Sequence, residues 1–360
     1  MNNFAFIIHP IDAKKDVARK FPVLGRHLPI KWIDFLSYYW PPVYLSHVTG
    51  IRSLSGAEIE GWLIACPLTP KRMLTLPVEA VYRKIIQTGH LAERLGAQLL
   101  GLGAYTSVVG DAGITVARGL DIPVTTGDSY TVAVAIEAAK TGAVRMGIDL
   151  PHARVAIVGA TGAIGRVCAE CLLDEVGSLT LIARRPSALS ELQRELRELS
   201  ATPVSTSCEV DDAAAADVLI TVSSAMEALI KPEHLKRGAV VCDVARPRDV
   251  AAQVARQRND VLVIDGGIVQ VPGQVRFGFD FGLPGRTAYA CMAETMLLAL
   301  EGRYEDYTLG RRISSAKVKE TARLAQKHGF RLSALRSFDR SLSEQAIEAI
   351  RERAHARGTS

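Results

Sequence analysis

Two cysteine thiols are the strongest candidate nucleophiles in this sequence. Cys291 follows the segment PGRT at 284–287, which is typical of a helix start with Thr287 as the N-cap. That placement puts Cys291 in the first helical turn, where the positive end of the helix dipole favours the thiolate. Cys66, just before Pro67 at a predicted strand end, is a second candidate. Core packing is the more common role for a cysteine among apolar neighbours, and spacing alone leaves both roles open.

A glycine-rich turn at 155–165, with the sequence VAIVGATGAIG, predicts a phosphate-binding site. Its glycines follow an apolar strand and open a helix, so backbone N–H groups can approach a pyrophosphate at the helix N-terminus. Five further strand-like segments follow, which is the context that the motif requires. We therefore predict a dinucleotide site formed by Gly159, Thr161, Gly162, Ile164 and Gly165.

The end of the next predicted strand indicates which dinucleotide binds. An NAD site carries Asp or Glu about 20 residues after the glycine turn, whereas this chain has Arg184 and Arg185. Two guanidinium groups suit a 2′-phosphate, so NADPH is the predicted cofactor. The alternative is that one arginine stacks on adenine and the other is surface. Ser223, in the predicted strand end at 221–224, is expected beside the nicotinamide.

The elements around the glycine turn predict the fold class. From residue 151 onward, short apolar segments alternate with helical stretches, which is the pattern of a parallel sheet with crossover helices. The segments are 155–159, 178–183, 203–207, 217–224, 239–245 and 261–266. The predicted class is α/β, with a Rossmann-type doubly wound parallel sheet plus a second α/β substrate domain completed by C-terminal helices.

The rest of the chain predicts that second domain. We expect strands at 4–8, 97–103 and 122–127 and helices at 78–95, 129–145 and 284–304. A capping-box pattern of Ser341 and Glu344 predicts a short surface helix in the tail. The predicted organisation is a substrate domain at 1–150, an NADP-binding domain at 151–270, and a helical segment at 271–360. That last segment carries Cys291 and packs back on the substrate domain.

Composition narrows the class of protein. The chain has 360 residues, 48% of them hydrophobic, and no apolar run near the length of a membrane span. Its N-terminus lacks the cationic region of a signal peptide, so the cytoplasm is the expected compartment. The six cysteines do not form a disulfide pattern, and the CxxC at 168–171 lies in a predicted helix without a second pair, so no metal site is predicted.

The net charge of the chain indicates which kinds of binding partner it could have. The net charge is +5, and the basic residues are scattered along the chain. This excess suits an acidic partner or a phosphate-bearing cofactor, and its scatter argues against nucleic acid. No oligomeric state is predicted.

The segment around Cys291 resembles the catalytic-cysteine segment of the cyanobacterial long-chain acyl-[acyl-carrier-protein] reductases. The run RTAYACMAETMLL at 286–298, followed by Glu301-Gly302, carries the resemblance. Other stretches agree in the same order, over residues 4–335 in all. They are WPP at 40–42, VTG at 48–50, GAYTSV at 103–108, VTTG at 124–127, the glycine turn, and KHGF at 327–330.

This resemblance implies an NADPH-dependent enzyme that converts a fatty acyl thioester to a fatty aldehyde. Cys291 would carry the acyl group, and acyl carrier protein or acyl-CoA would be the donor. It also implies a substrate site at Tyr105, Thr106, Ser107, Thr126 and Tyr130. Within that set, Thr106, Ser107 and Thr126 are candidates to stabilise an oxyanion, or are ordinary strand-end and turn residues.

Two stretches depart from the resemblance. Where the family is expected to read Gly-Asn-Thr-His-Thr, this chain reads GDSYT at 127–131, so a carboxylate replaces an amide and Tyr130 replaces a histidine. The loop DVARPRD at 243–249 resembles instead the matching loop of glutamyl-tRNA reductases, which also reduce an activated acyl group through a cysteine. The reaction is therefore better indicated than the substrate.

Six of the 21 aromatic residues fall between Trp32 and Tyr44, beside Lys31. They are interpreted as a membrane-facing surface, an acyl tunnel, or ordinary core packing. For the whole protein, two alternatives to the reductase remain. One is an NAD(P)-dependent dehydrogenase of an amino acid or small carboxylate without covalent catalysis, and the other is a nonenzymatic NADP-binding sensor or scaffold.

Overall fold

The computed structural model describes residues 1–356, which divide into two compact units. Unit 1 comprises 1–130 and 269–331, and unit 2 comprises 131–268 and the chain from 332 onward. Within the described residues, no helix combines the length and apolarity needed to cross a bilayer. The same residues hold no group of three or more His, Cys, Asp or Glu side chains arranged to bind a metal ion.

Unit 1 is built on a six-stranded sheet. Its elements before the chain first passes into unit 2 are β1 (Asn2–Ile8), α1 (Ala13–Lys20), α2 (Pro22–His27), α3 (Ile30–Ser37), β2 (Val43–Arg52), β3 (Glu58–Ala65), α4 (Pro70–Thr75), α5 (Val78–Arg94), β4 (Leu100–Leu102), α6 (Tyr105–Val108), α7 (Ile114–Arg118) and β5 (Val124–Thr125). The chain then enters α8 (Asp128–Met146). The helix predicted at 78–95 and the strand at 4–8 are confirmed, and the two later strands are shorter than predicted.

Unit 2 contains the Rossmann-type sheet. Its elements are β6 (Arg154–Val158), α9 (Ala163–Leu172), β7 (Ser178–Ile182), α10 (Pro186–Leu199), β8 (Val204–Ser207), β9 (Val218–Thr221), β10 (Val240–Asp243), α11 (Ala252–Gln257) and β11 (Leu262–Asp265), with 3-10 turns at Leu150–His152, Val210–Ala215 and Pro232–His234. The strand order is β11-β10-β9-β6-β7-β8 and every pairing is parallel. All six predicted strands are present, and their order is that of a doubly wound dinucleotide-binding sheet.

The remaining elements return to unit 1 and then to unit 2. They are β12 (Ile268–Gln270), β13 (Gly273–Arg276), β14 (Thr287–Tyr289), α12 (Ala290–Leu300), α13 (Ser315–His328), β15 (Arg331–Leu332), β16 (Arg336–Ser337), β17 (Arg340–Ser341) and α14 (Glu344–His355). The prediction of one helix over 284–304 is wrong in its first part, because residues 287–289 are extended and pair in a small sheet with β12.

The sheet of unit 1 has the order β13-β2-β3-β1-β4-β5, in which β3, β1, β4 and β5 run parallel. On one face, α5 covers a core that includes Ile7, Val81 and Ile85. On the other face, α12 approaches so closely that a Cβ at Gly101 would collide with Thr295 and Phe6. The parallel strands therefore carry α12 along one face, with its first turn near the carboxyl end of β5.

The predicted boundary at residue 150 lies inside unit 2. The reason is the packing of α8: the Cys242 thiol donates to the Ala135 carbonyl, and a Cβ at Gly142 would meet Val240 and Ile264. Most of this helix therefore belongs with the Rossmann-type sheet. The tail also differs from the prediction, since Ser343 rather than Ser341 caps α14, and residues from 332 onward belong to unit 2.

Candidate active site

Cys291 occupies the second position of α12, so the prediction that it lies in the first helical turn is confirmed. The predicted N-cap, Thr287, is wrong: Tyr289 is the N-cap and Thr287 lies in β14. The cysteine backbone abuts the turn that follows β5, because a Cβ at Gly127 would lie 2.6 Å from the Cys291 carbonyl oxygen. Only glycine, at φ +76°, fits this close approach.

The charge state of Cys291 differs from the prediction. The Cys291 side chain is partly exposed, but the protein atoms packed around its sulfur raise the pKa of the thiol to about 12. Desolvation is the main cause, and the negative charges that Asp128 and Glu294 carry once they are ionised at high pH add to it, while the Met292 N–H works in the opposite direction. The helix start alone therefore does not produce a thiolate at neutral pH.

Glu294, one helical turn after Cys291, anchors α12 to the turn after β5. Its Oε1 accepts from the Thr125 hydroxyl at 2.6 Å and from the Thr308 hydroxyl at 2.9 Å. Its Oε2 accepts from the Tyr130 N–H at 2.8 Å. All of these residues are buried, and burial raises the pKa of Glu294, while the three hydrogen bonds oppose this rise and satisfy the buried carboxyl oxygens. We call Glu294, Thr125, Thr308 and the Tyr130 N–H the Glu294 network.

Asp128 is the second buried acid beside Cys291. Burial, followed by the charge of Glu294, raises the pKa of Asp128 to about 8, although a side-chain hydrogen bond with Thr126 opposes the rise. The carboxyl group is therefore largely protonated at neutral pH. A protonated acid beside a thiol can hold or transfer a proton during the reaction of that thiol.

The three predicted substrate-site hydroxyls are already engaged: Thr126 lies just before Gly127, and Thr106 and Ser107 lie in α6. The Thr126 hydroxyl donates to the Thr308 carbonyl at 2.5 Å. After β4, the Thr106 hydroxyl donates to the Gly103 carbonyl at 2.8 Å, and the Ser107 hydroxyl donates to the Ala104 carbonyl at 2.7 Å. Because each hydroxyl has one proton, these side chains stabilise turns and do not offer that proton to an oxyanion.

Tyr105 and Tyr130 are both buried at the carboxyl edge of the sheet. Tyr130 lies in the first turn of α8, three residues after Gly127, and the Tyr105 N–H donates to Nε2 of His9 at 3.1 Å. Burial lowers the pKa of His9 to about 4, so the imidazole is neutral and accepts this bond. His9 therefore orients the segment at 105–108, a role that the sequence did not reveal.

Cys66, the second candidate nucleophile, is completely buried after β3. Desolvation raises the pKa of its thiol to about 11, and its N–H donates to the Ile8 carbonyl. A buried thiol without solvent access is a packing residue rather than a nucleophile.

The glycine turn in unit 2 has the geometry that phosphate binding requires. Gly159 follows β6 with φ +86°, and a Cβ there would lie 2.9 Å from the Ser223 nitrogen. A Cβ at Gly165 would lie 2.5 Å from the Gly159 carbonyl oxygen. Gly162 is the N-cap of the ten-residue helix α9 and provides no capping side chain. First-turn N–H groups are thus directed toward the turn, where Thr161 and Ile164 also lie.

Arg184 and Arg185 are exposed directly after β7, the strand beside β6. Ser223 follows β9 on the other side of β6, and its N–H and hydroxyl both donate to the Asp249 carboxylate, at 2.9 and 2.5 Å. Burial raises the pKa of Asp249 to about 6, so the group is mostly ionised at pH 7. Asp249 therefore holds the Ser223 loop against the glycine turn.

Sequence reasoning missed Glu294, Thr308 and Asp249. A signal for Glu294 exists, because a lone acid inside the apolar run from Met292 to Leu300 is expected to be buried with partners. Thr308 has no comparable signal, since its φ of +53° and its partners depend on the folded chain.

Comparisons with known proteins support this reading of unit 2. Residues 141–266 match the family model described as shikimate/quinate 5-dehydrogenase. The chain is 29% identical over 310 residues to a long-chain acyl-[acyl-carrier-protein] reductase from Synechococcus elongatus, covering 82% of this chain and 89% of that protein. These similarities support an oxidoreductase with a Rossmann-type fold and a nicotinamide cofactor.

A second relative is much longer. The chain is 32% identical over 359 residues to aminotransferase PigE from a Serratia species, covering 98% of this chain and 42% of that protein. Among solved structures, L-tryptophan dehydrogenase from Nostoc punctiforme matches with a TM-score of 0.42 at 11% identity, covering 98% of this chain and 88% of that one. Structural similarity at this level supports no conclusion about function.

Proposed function

We propose that this chain is an NADPH-dependent reductase that converts a fatty acyl thioester to a fatty aldehyde through a thioester on Cys291. The acyl donor is a fatty acyl thioester of acyl carrier protein or of coenzyme A. One observation carries the proposal: Cys291 lies in the first turn of α12 against Gly127, the residue that precedes the buried Asp128. The cyanobacterial reductase relative supports the same reaction class.

The residues of unit 2 fit NADPH. A Cβ would fill the turn at Gly159 and at Gly165, so the backbone leaves room for a pyrophosphate close to the start of α9. Arg184 and Arg185 stand exposed at the strand end where an NAD site carries an acid. Ser223, held by Asp249, would contact the nicotinamide side of the cofactor.

In the proposed reaction, Sγ of Cys291 bonds to the acyl carbonyl carbon, and the bond between that carbon and the carrier sulfur breaks. The thiol proton leaves with the carrier as its new thiol. NADPH, when held by the glycine turn of unit 2, would supply the hydride that the acyl carbon accepts. Collapse of the resulting oxyanion breaks the bond to Sγ and releases the aldehyde, and the cysteine then takes up a proton.

Asp128 and the start of α12 explain how this chain assists the reaction. While protonated, Asp128 adds no negative charge beside the sulfur, and it can donate its proton to the departing carrier sulfur as it takes up the proton of the Cys291 thiol. The Met292 N–H favours the thiolate. Because the side-chain hydroxyls nearby are engaged, we assign the acyl oxyanion to first-turn N–H groups of α12.

The basic charge of the chain suits an acidic donor. A net charge of +5 would attract either an acidic carrier protein or the phosphates of coenzyme A, and it would accelerate encounter more at low salt than at high salt. Turnover on the two donors across a salt series distinguishes them. A rate on the carrier protein that does not change with salt would contradict electrostatic steering.

Intact-mass spectrometry tests the covalent step. Incubation with a fatty acyl donor and no NADPH should add one acyl mass, located on Cys291 by peptide mapping. The variants Cys291→Ala and Cys291→Ser should lose both the adduct and aldehyde formation while binding NADPH as the wild type does. Cys66→Ala is the matched control and should keep the adduct. Full activity in Cys291→Ala would exclude the mechanism.

A dehydrogenase of an amino acid or small carboxylate is the second candidate. The match of residues 141–266 to the shikimate/quinate 5-dehydrogenase model favours it, as does a protonated buried acid, which can serve hydride transfer without a nucleophile. This candidate predicts that Cys291→Ala retains turnover on such substrates and that no acyl adduct forms.

A further inference from the structure

Helix α3 exposes an aromatic stripe, which consists of Trp32, Phe35 and Tyr39. These residues are three and four positions apart and therefore share one side of the helix and its C-terminal extension. Their exposed fractions are 57%, 46% and 66%. Ile33 and Ser37, on the opposite side, are buried. The core interpretation of this segment thus applies to one face of α3, while the other face presents aromatic rings to solvent.

The aromatic stripe is a continuous surface. The ring centroids of Trp32 and Phe35 are 6.3 Å apart, and those of Phe35 and Tyr39 are 5.4 Å apart. Ile30, at the start of the same helix, is also more than half exposed. Single exposed apolar residues are common, but a joined group of large ones marks a site of interaction.

Basic side chains surround the aromatic stripe. Lys31 is exposed between Ile30 and Trp32, and Lys71 is exposed at the start of α4. The neighbouring Arg72 guanidinium lies 5.9 Å from the ring of Phe35. Residues 14–31 carry six Lys or Arg residues and one Asp. Exposed aromatic rings beside cations are the arrangement by which peripheral proteins bind anionic membrane surfaces.

We propose that the aromatic stripe docks on the surface of an anionic phospholipid bilayer. The rings of Trp32, Phe35 and Tyr39 enter the headgroup region, and Lys31 and Lys71 contact lipid phosphates. The binding is peripheral and reversible. Membrane contact at this surface would bring the chain to the compartment where long acyl chains partition, but it does not depend on the proposed reaction.

Charge distinguishes a lipid surface from a second copy of the chain. A two-fold symmetric contact through the aromatic stripe would place the same basic residues of both copies close to one another. Like charges at such an interface oppose association. Anionic headgroups instead neutralise them, so the composition around the stripe matches a lipid surface.

Cosedimentation of the full chain with vesicles tests the proposal. Vesicles of phosphatidylcholine with 30% phosphatidylglycerol, a composition of our choosing, should bind the chain, whereas pure phosphatidylcholine should bind it weakly, and added salt should weaken the binding. The triple variant Trp32→Ser, Phe35→Ser, Tyr39→Ser should reduce binding at least about tenfold. The double variant Lys31→Glu, Lys71→Glu should lose the preference for phosphatidylglycerol.

A matched control uses exposed apolar residues elsewhere. Val144 and Leu199 are 69% and 65% exposed, and Val144→Ser with Leu199→Ser should leave vesicle binding unchanged. Thermal unfolding should show that both serine variants remain folded, because every substituted side chain is at least 46% exposed. Equal loss of binding in the control variant would contradict the role of the aromatic stripe.

Trp32 fluorescence provides a second measurement. The variant Trp40→Phe, Trp62→Phe leaves Trp32 as the one tryptophan of the chain. Its emission should shift to shorter wavelength on phosphatidylglycerol vesicles and should be quenched by brominated lipid. Absence of vesicle binding, or a dimer that depends on the stripe and excludes vesicles in light scattering, would overturn the proposal. In either case the test for an acyl adduct on Cys291 is unaffected.

Discussion

At the scale of single residues, the surroundings of Cys291 keep two acidic groups in their neutral forms. Burial raises the pKa of the thiol to about 12 and that of Asp128 to about 8. Burial also raises the pKa of Glu294, and the three hydrogen bonds that its oxygens accept oppose this rise. The nucleophile therefore forms as the acyl donor reacts, when the thiol proton has a destination, rather than existing as a resting thiolate.

Asp128→Asn should change how stability depends on pH. The folded pKa of Asp128, about 8, exceeds the ordinary 3.8, so the folded chain retains a proton that the unfolded chain releases. Wild-type stability consequently falls as pH rises from 4 to 8, by about 1.4 kcal/mol per pKa unit of difference. Asparagine cannot ionise and lacks this loss. The melting temperature of the variant, relative to wild type, should rise progressively from pH 5 to pH 8.

Asp121→Asn is the control for this measurement, because Asp121 is exposed in the same unit. Its melting temperature should follow the wild-type pH profile. If Asp128→Asn also ran parallel to the wild type, Asp128 would titrate normally, and its role as a protonated acid at neutral pH would be excluded.

Glu294→Gln tests whether the Glu294 network positions the nucleophile. Glutamine can retain the bonds from Thr125 and Thr308 through its oxygen, but its amide cannot accept the Tyr130 N–H. An unsatisfied buried donor costs about 1–3 kcal/mol, so the melting temperature should fall. Acylation of Cys291 should slow at least about tenfold if the first turn of α12 shifts, while NADPH affinity stays unchanged.

Glu79 of α5 is exposed, so Glu79→Gln is the matched control and should change neither the melting temperature nor the rate of Cys291 acylation. A Glu294→Gln enzyme that unfolds earlier but acylates at the wild-type rate would show that the network is purely structural. Glu294→Asp, which retains the charge with a shorter side chain, should recover part of the acylation rate.

These residues also show what sequence can predict at a site. Cys291 and the glycine turn were found because each depends on neighbours within a few positions of the chain. Thr125, one of the hydrogen-bond partners of Glu294, lies 169 residues away in sequence. The burial that raises the pKa of Cys291 likewise comes from elements that are far apart in sequence. Such properties require the folded chain.

At the scale of elements, buried parallel strands were predicted well and short strands were not. Strands covered on both faces are continuous apolar runs, which is why the central strands β6, β9 and β10 of unit 2 were found. The strands β12 to β17 have two to four residues each, too few for a periodic pattern. At β14, Thr287 resembles a helix N-cap but belongs to a strand that leads directly into α12.

Gly159→Ala should weaken NADPH binding through the geometry of the turn between β6 and α9. The new Cβ would meet the Ser223 nitrogen at 2.9 Å, and alanine is strained at φ +86°. The turn and the Ser223 loop would have to separate. We expect the dissociation constant for NADPH to rise at least about tenfold, which corresponds to about 1.4 kcal/mol. Titration of NADPH fluorescence measures it.

The variant Gly96→Ala distinguishes the effect of backbone strain from that of the steric clash between a Cβ at Gly159 and the Ser223 loop. Gly96 has nearly the same φ, +83°, but a Cβ there meets nothing within 4 Å. This variant should lose similar stability from strained backbone and bind NADPH as the wild type does. Equal NADPH affinity in both variants would show that the glycine turn does not contact the cofactor.

At the scale of the whole molecule, each unit is assembled from separate stretches of chain. Unit 1 needs both 1–130 and 269–331, and the second stretch supplies α12 with Glu294 and the edge strand β13 beside β2. In unit 2, Asp265 at the end of β11 accepts N–H bonds from Phe338 and Asp339. Sequence order suggested consecutive domains, because local patterns do not reveal that a chain returns to an earlier unit.

The discontinuous composition of unit 1 predicts that residues 1–130 do not fold alone. Without 269–331, the sheet loses the cover of α12 on Phe6 and Gly101, and Thr125 loses its buried carboxylate partner. Loss of a core face removes far more than the 5–15 kcal/mol that typically stabilises a domain.

Circular dichroism of this fragment should show no cooperative thermal transition. The same fragment joined to 269–331 through a flexible linker of about 20 Gly and Ser residues should melt cooperatively, because it restores every contact of the Glu294 network. A cooperative transition in 1–130 alone would mean that α12 is an accessory to a complete domain, and Cys291 would then lie on an added element rather than on the core that positions it.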